Sequence, residues 1–70
     1  MSTQIRSGTV TDFDDPRGIG VVMGDDGAVF AFHCTAIADG TRTIAVGATV
    51  HFVERAGHLG RWEAADISPV

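Results

Sequence analysis

The 70-residue sequence predicts an all-β fold, a small barrel of five short strands. Three observations carry that expectation. Stretches of Val, Ile, Thr and Phe alternate with polar residues, and clusters of Gly, Asp and Pro punctuate them about every eight to twelve residues. Helical periodicity is weak throughout. The length allows one hydrophobic core, so residues 1–70 are expected to form a single domain. A closed barrel also hides the strand edges that would make a small all-β chain aggregate.

The first strand is expected over Gln4–Phe13, rich in Thr and Val and ended by the Asp14-Asp15-Pro16 turn cluster. Gly18–Met23 follows as the second. Gly24-Asp25-Asp26-Gly27 is a hairpin turn, because Gly and Asp tolerate the positive φ of tight turns. Ala28–His33 returns as the third strand, and Thr35–Ala38 predicts one short helical turn capped by Thr35. Residues 38–47 form the long connection, with Asp39-Gly40 turning and Ile44 and Val46 as apolar anchors. Ala48–Glu54 is the fourth strand, the glycine-framed Ala56–Gly60 a hairpin, and Arg61–Ser68 the fifth strand.

Side chains alternate across a strand, which sorts these residues by face. Phe30 and Phe32 share one side of the third strand and are expected inside the barrel, as is Val22 on the second. Val50 and Phe52 share a face on the fourth. Ile19 and Val21 then point outward, as do Ala31 and His33.

Bulk composition is that of an ordinary folded domain, 44% hydrophobic and 20% charged. No apolar run reaches membrane-spanning length, and the first residues lack the apolar core of a secretory signal. A single cysteine forms no internal disulfide, which fits a reducing cytoplasm. Five arginines oppose nine carboxylates, a formal charge of −4. Such a chain is a poor generic polyanion binder, since phosphate contacts need local cations. Between Asp12 and Gly27, five aspartates face Arg17 alone.

Residues 17–22, Arg-Gly-Ile-Gly-Val-Val, resemble the first ribonucleoprotein motif of the cold-shock domain, usually Lys-Gly-Phe-Gly-Phe-Ile. Residues 30–34, Phe-Ala-Phe-His-Cys, resemble the second, usually Val-Phe-Val-His-Phe. Gly8-Thr9-Val10 is similar to the family's opening strand, Gly40 to Ile44 with Gly47 to its loop, and Ala64-Ala65-Asp66-Ile67 to its closing Ala-Ala-Asn-Val. The match runs from about Arg6 to Val70, with a one-residue gap after Gly27 and a longer last hairpin. The resemblance implies a five-stranded antiparallel OB-fold barrel that binds single-stranded RNA or DNA, with no cofactor and no catalytic role.

Departures from the family pattern gather on its ligand-facing positions. Asp12 stands where the family usually has tryptophan, and Thr11 where it has lysine. Ile19 and Val21 replace the phenylalanines of the first motif, Ala31 and Cys34 those of the second, and Thr41 the loop aromatic. Phe13, Arg17 and His33 remain. Stacking one base on an aromatic ring is worth about 1–3 kcal/mol. Losing even three such contacts at the low end weakens binding roughly a hundredfold.

Weak or altered nucleic-acid binding is therefore expected at Phe13, Arg17, Ile19, Val21, Ala31, His33, Arg61 and Trp62. Trp62 has two readings, a relocated stacking ring beside Arg61 or a cap on one barrel end, with the cap favoured. The alternative function is a protein-interaction or self-association module whose outward floor is Ile19, Val21, Ala31 and Cys34, rimmed by aspartates.

Other chemistry is poorly supported. Adjacent side chains on a strand diverge, so His33 and Cys34 are not expected to pair as base and nucleophile. His33, His51, His58 and Cys34 lack metal-ligand spacing. The Asp12–Asp15 cluster lacks the glycine and distal glutamate of a calcium loop. Gly18-Ile19-Gly20 lacks the third glycine and helix of a dinucleotide site, and is read as a twisted strand allowing close backbone approach.

Overall fold

A computed structural model describes residues 5–38, 40, 42–57 and 62–70. Five strands form in chain order: β1 (Ile5–Asp14), β2 (Ile19–Gly24), β3 (Val29–His33), β4 (Thr49–Ala56) and β5 (Trp62–Pro69). They close into a barrel, as the alternation and turn spacing predict, in the order β1-β2-β3-β5-β4 that only the structure supplies. Four of the five joins are antiparallel. The β3–β5 join is parallel, through Ala31 opposite Glu63, and a parallel Ile37–Ile67 bridge continues it.

Alternation fills the interior as expected. Val10, Val22, Val50, Phe52 and Ile67 are wholly buried, with Phe30, Phe32, Ile37 and Ala64 almost so. The Phe30 and Phe52 rings pack tilted, 5.2 Å between centroids. Each such side chain contributes about 1.5–3 kcal/mol of hydrophobic stabilisation, so these few residues hold the fold.

Two bulges interrupt the strict period of two, and neither is visible in the hydrophobic pattern. In β1 the register with β2 slips between Val10 and Asp12. The extra residue reverses the facing of the rest of the strand, as a bulge must. Asp12 is turned outward and Phe13 toward the barrel, where it lies stacked against Phe32 with centroids 6.0 Å apart. In β5 the register with β4 slips beside Asp66, whose φ is +50°. That slip lets Ala64 and Ile67 both reach the core; aspartate is among the few residues that accept this backbone region.

The turns keep the predicted chemistry, with local corrections. In the β2–β3 hairpin the Gly27 N–H donates to the Gly24 carbonyl, and the Asp26 carboxylate accepts from the Ala28 N–H at 3.0 Å. Arg6 ties this turn to β4. Its guanidinium pairs with Asp26 and, at 3.3 Å, with Glu54, and lies 5.4 Å from the centroid of the Phe30 ring.

The short helical turn is a 3-10 turn over Cys34–Ala36, and its cap is His33 rather than Thr35. The strand ends at His33, so its ring, not the hydroxyl, meets the first free N–H of the turn. Ile44 packs against the core as expected, but Val46 is 60% exposed. The reason is a turn at residues 45–48, closed by the Ala48 N–H donating to the Ala45 carbonyl, which leaves Val46 on an outer corner. Asp39 of the predicted connecting turn and residues 58–60 of the last hairpin lie outside the described residues.

Candidate nucleic-acid interface

The outer face of β1, β2, β3 and β5 is ordered in rows set by strand register. Asp14, Ile19 and His33 face one another in the first row. Asp12, Val21, Ala31 and Glu63 form the second. Thr9, Met23 and Val29 form the third. The first two rows enclose a shallow cleft of about 410 Å³. Its floor is Ile19, Val21 and Ala31, and its rim carries Asp12, Asp14, Glu63 and His33.

Gly20 gives this floor its depth. A Cβ there would lie 2.6 Å from the Phe32 ring and 2.7 Å from the Asp12 carbonyl, closer than real side chains come. The absent side chain lets Phe32 fill the barrel directly beneath β2 and lets the β1 bulge settle against it. The close approach expected of the Gly18-Ile19-Gly20 stretch is thus present, and it serves packing.

The remaining candidate residues divide among different places. Phe13 is half-buried against Phe32 and does not line the cleft. Arg17 is well exposed and lies 3.7 Å from the Asp14 carboxylate, so part of its charge is answered within the chain. It borders a neighbouring cleft with His33, Cys34 and Arg42. His33 belongs to both clefts. Its Nδ1 accepts from the Thr35 N–H at 3.2 Å, which leaves Nε2 to carry the proton in the neutral ring.

Cys34 does not join the outward floor. It is half-buried against the core, and a Cβ at Gly18 would sit 2.9 Å from its sulfur; Gly18 itself has φ +67°. The 3-10 turn also changes its relation to His33. Sγ lies 3.9 Å from Nδ1, whereas continued strand would have separated them. At that distance the contact is loose, and Nδ1 is already engaged with Thr35. Among the described residues, no three His, Cys, Asp or Glu side chains converge as a metal site.

Trp62 is 56% exposed, which overturns the favoured reading of it as a barrel cap. It pairs with Ala56 of β4 but lies one residue outside the Ala31–Glu63 pair, so β3 has no residue paired beside it. Among the described residues no ring or guanidinium stacks on it. Arg61 and Thr41 lie outside the described residues.

Glu63 is the site residue that sequence reasoning missed. Nothing in its neighbourhood marks it, because it reaches the cleft through the non-local join with Ala31. Its carboxylate adds a third negative group to a rim already carrying Asp12 and Asp14.

The barrel order, the two motif strands and their shared outer face define a cold-shock-type OB-fold. A solved structure of Drosophila Unr cold-shock domains (CSD456) superposes over 99% of this chain and 28% of that one. Its TM-score is 0.81 at 23% identity. Glycine-rich protein 2 of Nicotiana sylvestris is 39% identical over 69 residues, 96% of this chain. The chain spans about a third of that relative's length, 32%. No family model matches the chain. Both likenesses agree with the resemblance read from the motifs, and the chain has the cold-shock fold.

Proposed function

We propose that the chain is a non-catalytic, cytoplasmic cold-shock-like module that binds single-stranded RNA or DNA weakly. The observation that carries this reading is the composition of the cleft. The face on which the family's motifs present aromatic rings here offers Ile19, Val21 and Ala31 under a rim of three carboxylates. Aliphatic groups give a base some apolar contact but no stacking partner, and the carboxylates repel its phosphates. His33 and Arg17 remain as contacts at one end, and Trp62, exposed beside Arg61 in sequence, supplies a ring elsewhere. The likeness to the Unr cold-shock domains supports the nucleic-acid class.

The test is titration with oligo-dT and a mixed-sequence single-stranded RNA at low and moderate salt. Binding is followed by Trp62 fluorescence and by anisotropy of labelled oligonucleotide. Binding that is detectable at low salt and weaker than micromolar at moderate salt supports the reading. Micromolar or tighter binding at moderate salt overturns the claim of a weakened surface, and no binding at low salt overturns the class.

A further inference from the structure

The apolar floor continues past the cleft. Ile19, Val21 and Met23 on β2 lie beside Val29 and Ala31 on β3, and make one outward stripe. Ile19 is 44% exposed, Met23 43% and Val29 62%, so the stripe is open to solvent along much of its length among the described residues. Strand spacing makes the stripe about 13 Å long, two pleats of about 6.7 Å. Carboxylates flank it on both sides. Asp12 and Asp14 stand on the β1 side, and Glu63 on the β5 side. Asp12 and Glu63 lie in one row on either side of Val21 and Ala31, three inter-strand steps or about 14 Å apart. Neither makes an ion pair among the described residues; the arginines described as paired engage Asp14, Asp26, Glu54 and Asp66.

We propose that this stripe is a docking surface for a basic, amphipathic segment of a partner protein, lysines or arginines alternating with aliphatic residues. The charge pattern selects this occupant. A polyanion would set its phosphates against the flanking carboxylates, whereas a lysine or arginine lays its methylene stem on apolar surface and extends its cation to a carboxylate beyond. An extended segment presents aliphatic side chains to the floor at every second position. A second copy of this chain, itself at −4, would bring carboxylates to carboxylates. The proposal concerns the same face as the nucleic-acid reading but does not require it, since it rests on the apolar stripe and its flanking carboxylates.

The experiment uses 15N-labelled protein and three probes: a blocked Lys-Val-Lys-Val-Lys-Val-Lys peptide, its Glu-Val counterpart, and oligo-dT. The lysine peptide is expected to shift the amides of Ile19, Val21, Met23, Val29 and Ala31, and the glutamate peptide to leave them unmoved. The pair Asp12→Asn and Glu63→Gln, with the fold checked by circular dichroism, is expected to weaken the lysine peptide about 2- to 30-fold, the range for two exposed ion pairs. Equal binding of both peptides, or lysine-peptide binding indifferent to the substitutions, overturns the proposal. So does oligo-dT binding the stripe more tightly than the peptide, which would leave the nucleic-acid reading standing. Shifts of the same amides with protein concentration alone would assign the stripe to self-association and also overturn it.

Discussion

Gly20 lies so close to Phe32 that a single methyl group at residue 20 would stand 2.6 Å from the ring's Cζ. This contact joins the barrel's interior to its outer cleft, since β2 carries Gly20 between Ile19 and Val21. Gly20→Ala must displace Phe32 or the β1 backbone at Asp12. Overpacking of this kind costs about 1–3 kcal/mol. For a domain of this size, each 1 kcal/mol lowers Tm by about 4–8 °C. A thermal melt of the variant, followed by far-ultraviolet circular dichroism, is expected to show at least the smaller shift.

Phe52 tests the core itself. Wholly buried and packed on Phe30, it has no room to relax outward. Phe52→Ala is expected to cost about 3–5 kcal/mol. Small domains have thin margins, so urea titration should find the variant largely unfolded in buffer.

Stability should fall on the acid side through Asp26. Hydrogen bonding from the Ala28 N–H, and then the Arg6 guanidinium, hold its carboxyl below the usual aspartate range. A carboxyl with a depressed folded value stabilises the protein above its unfolded value, near pH 4, and that contribution is lost as pH falls through the folded value. Asp26→Asn removes the titration. Urea midpoints measured between pH 6 and pH 2 should fall less steeply for the variant than for the parent.

Restoring rings should restore binding. Ile19 and Val21 are solvent-facing, so Ile19→Phe with Val21→Phe adds two stacking surfaces without entering the core. At about 1 kcal/mol for each ring, the low end, oligo-dT affinity should rise about 30-fold. Anisotropy titration at fixed salt measures it, and unchanged affinity would show that missing rings are not what weakens this surface.

Salt dependence should be shallow. Each phosphate contact contributes about −0.7 to the slope of log K against log salt for single strands. With Arg17 partly answered by Asp14, one or two contacts are expected, giving a slope no steeper than about −1.4. Titrations at several salt concentrations give the slope directly, and Arg17→Ala should flatten it further.

Strand existence, the hairpin at Gly24–Gly27, the inward set of Val22, Phe30 and Phe32 and the shared face of Val50 and Phe52 were legible in the sequence. Each follows from nearest-neighbour alternation or from the backbone freedom of turn residues, which are local properties. The floor of Ile19, Val21 and Ala31 was legible for the same reason. Phe13, Cys34 and Trp62 were not. A bulge turned the first inward, a 3-10 turn drew the second beneath Gly18, and the last, paired with Ala56 of β4, lies one residue outside the β3–β5 pair.

By itself the sequence determined a five-stranded barrel with a ring-poor outer face, because a period of two assigns each side chain to one side wherever the strand runs regularly. Only the tertiary structure decided how that face is framed, beyond the rim of aspartates the sequence suggests. The bulge before Asp12 turned both Asp12 and Asp14 outward, and the parallel join of Ala31 to Glu63 brought a carboxylate from the far end of the chain. Register slips and barrel closure depend on how distant strands fit together, and no short window of residues contains that fit.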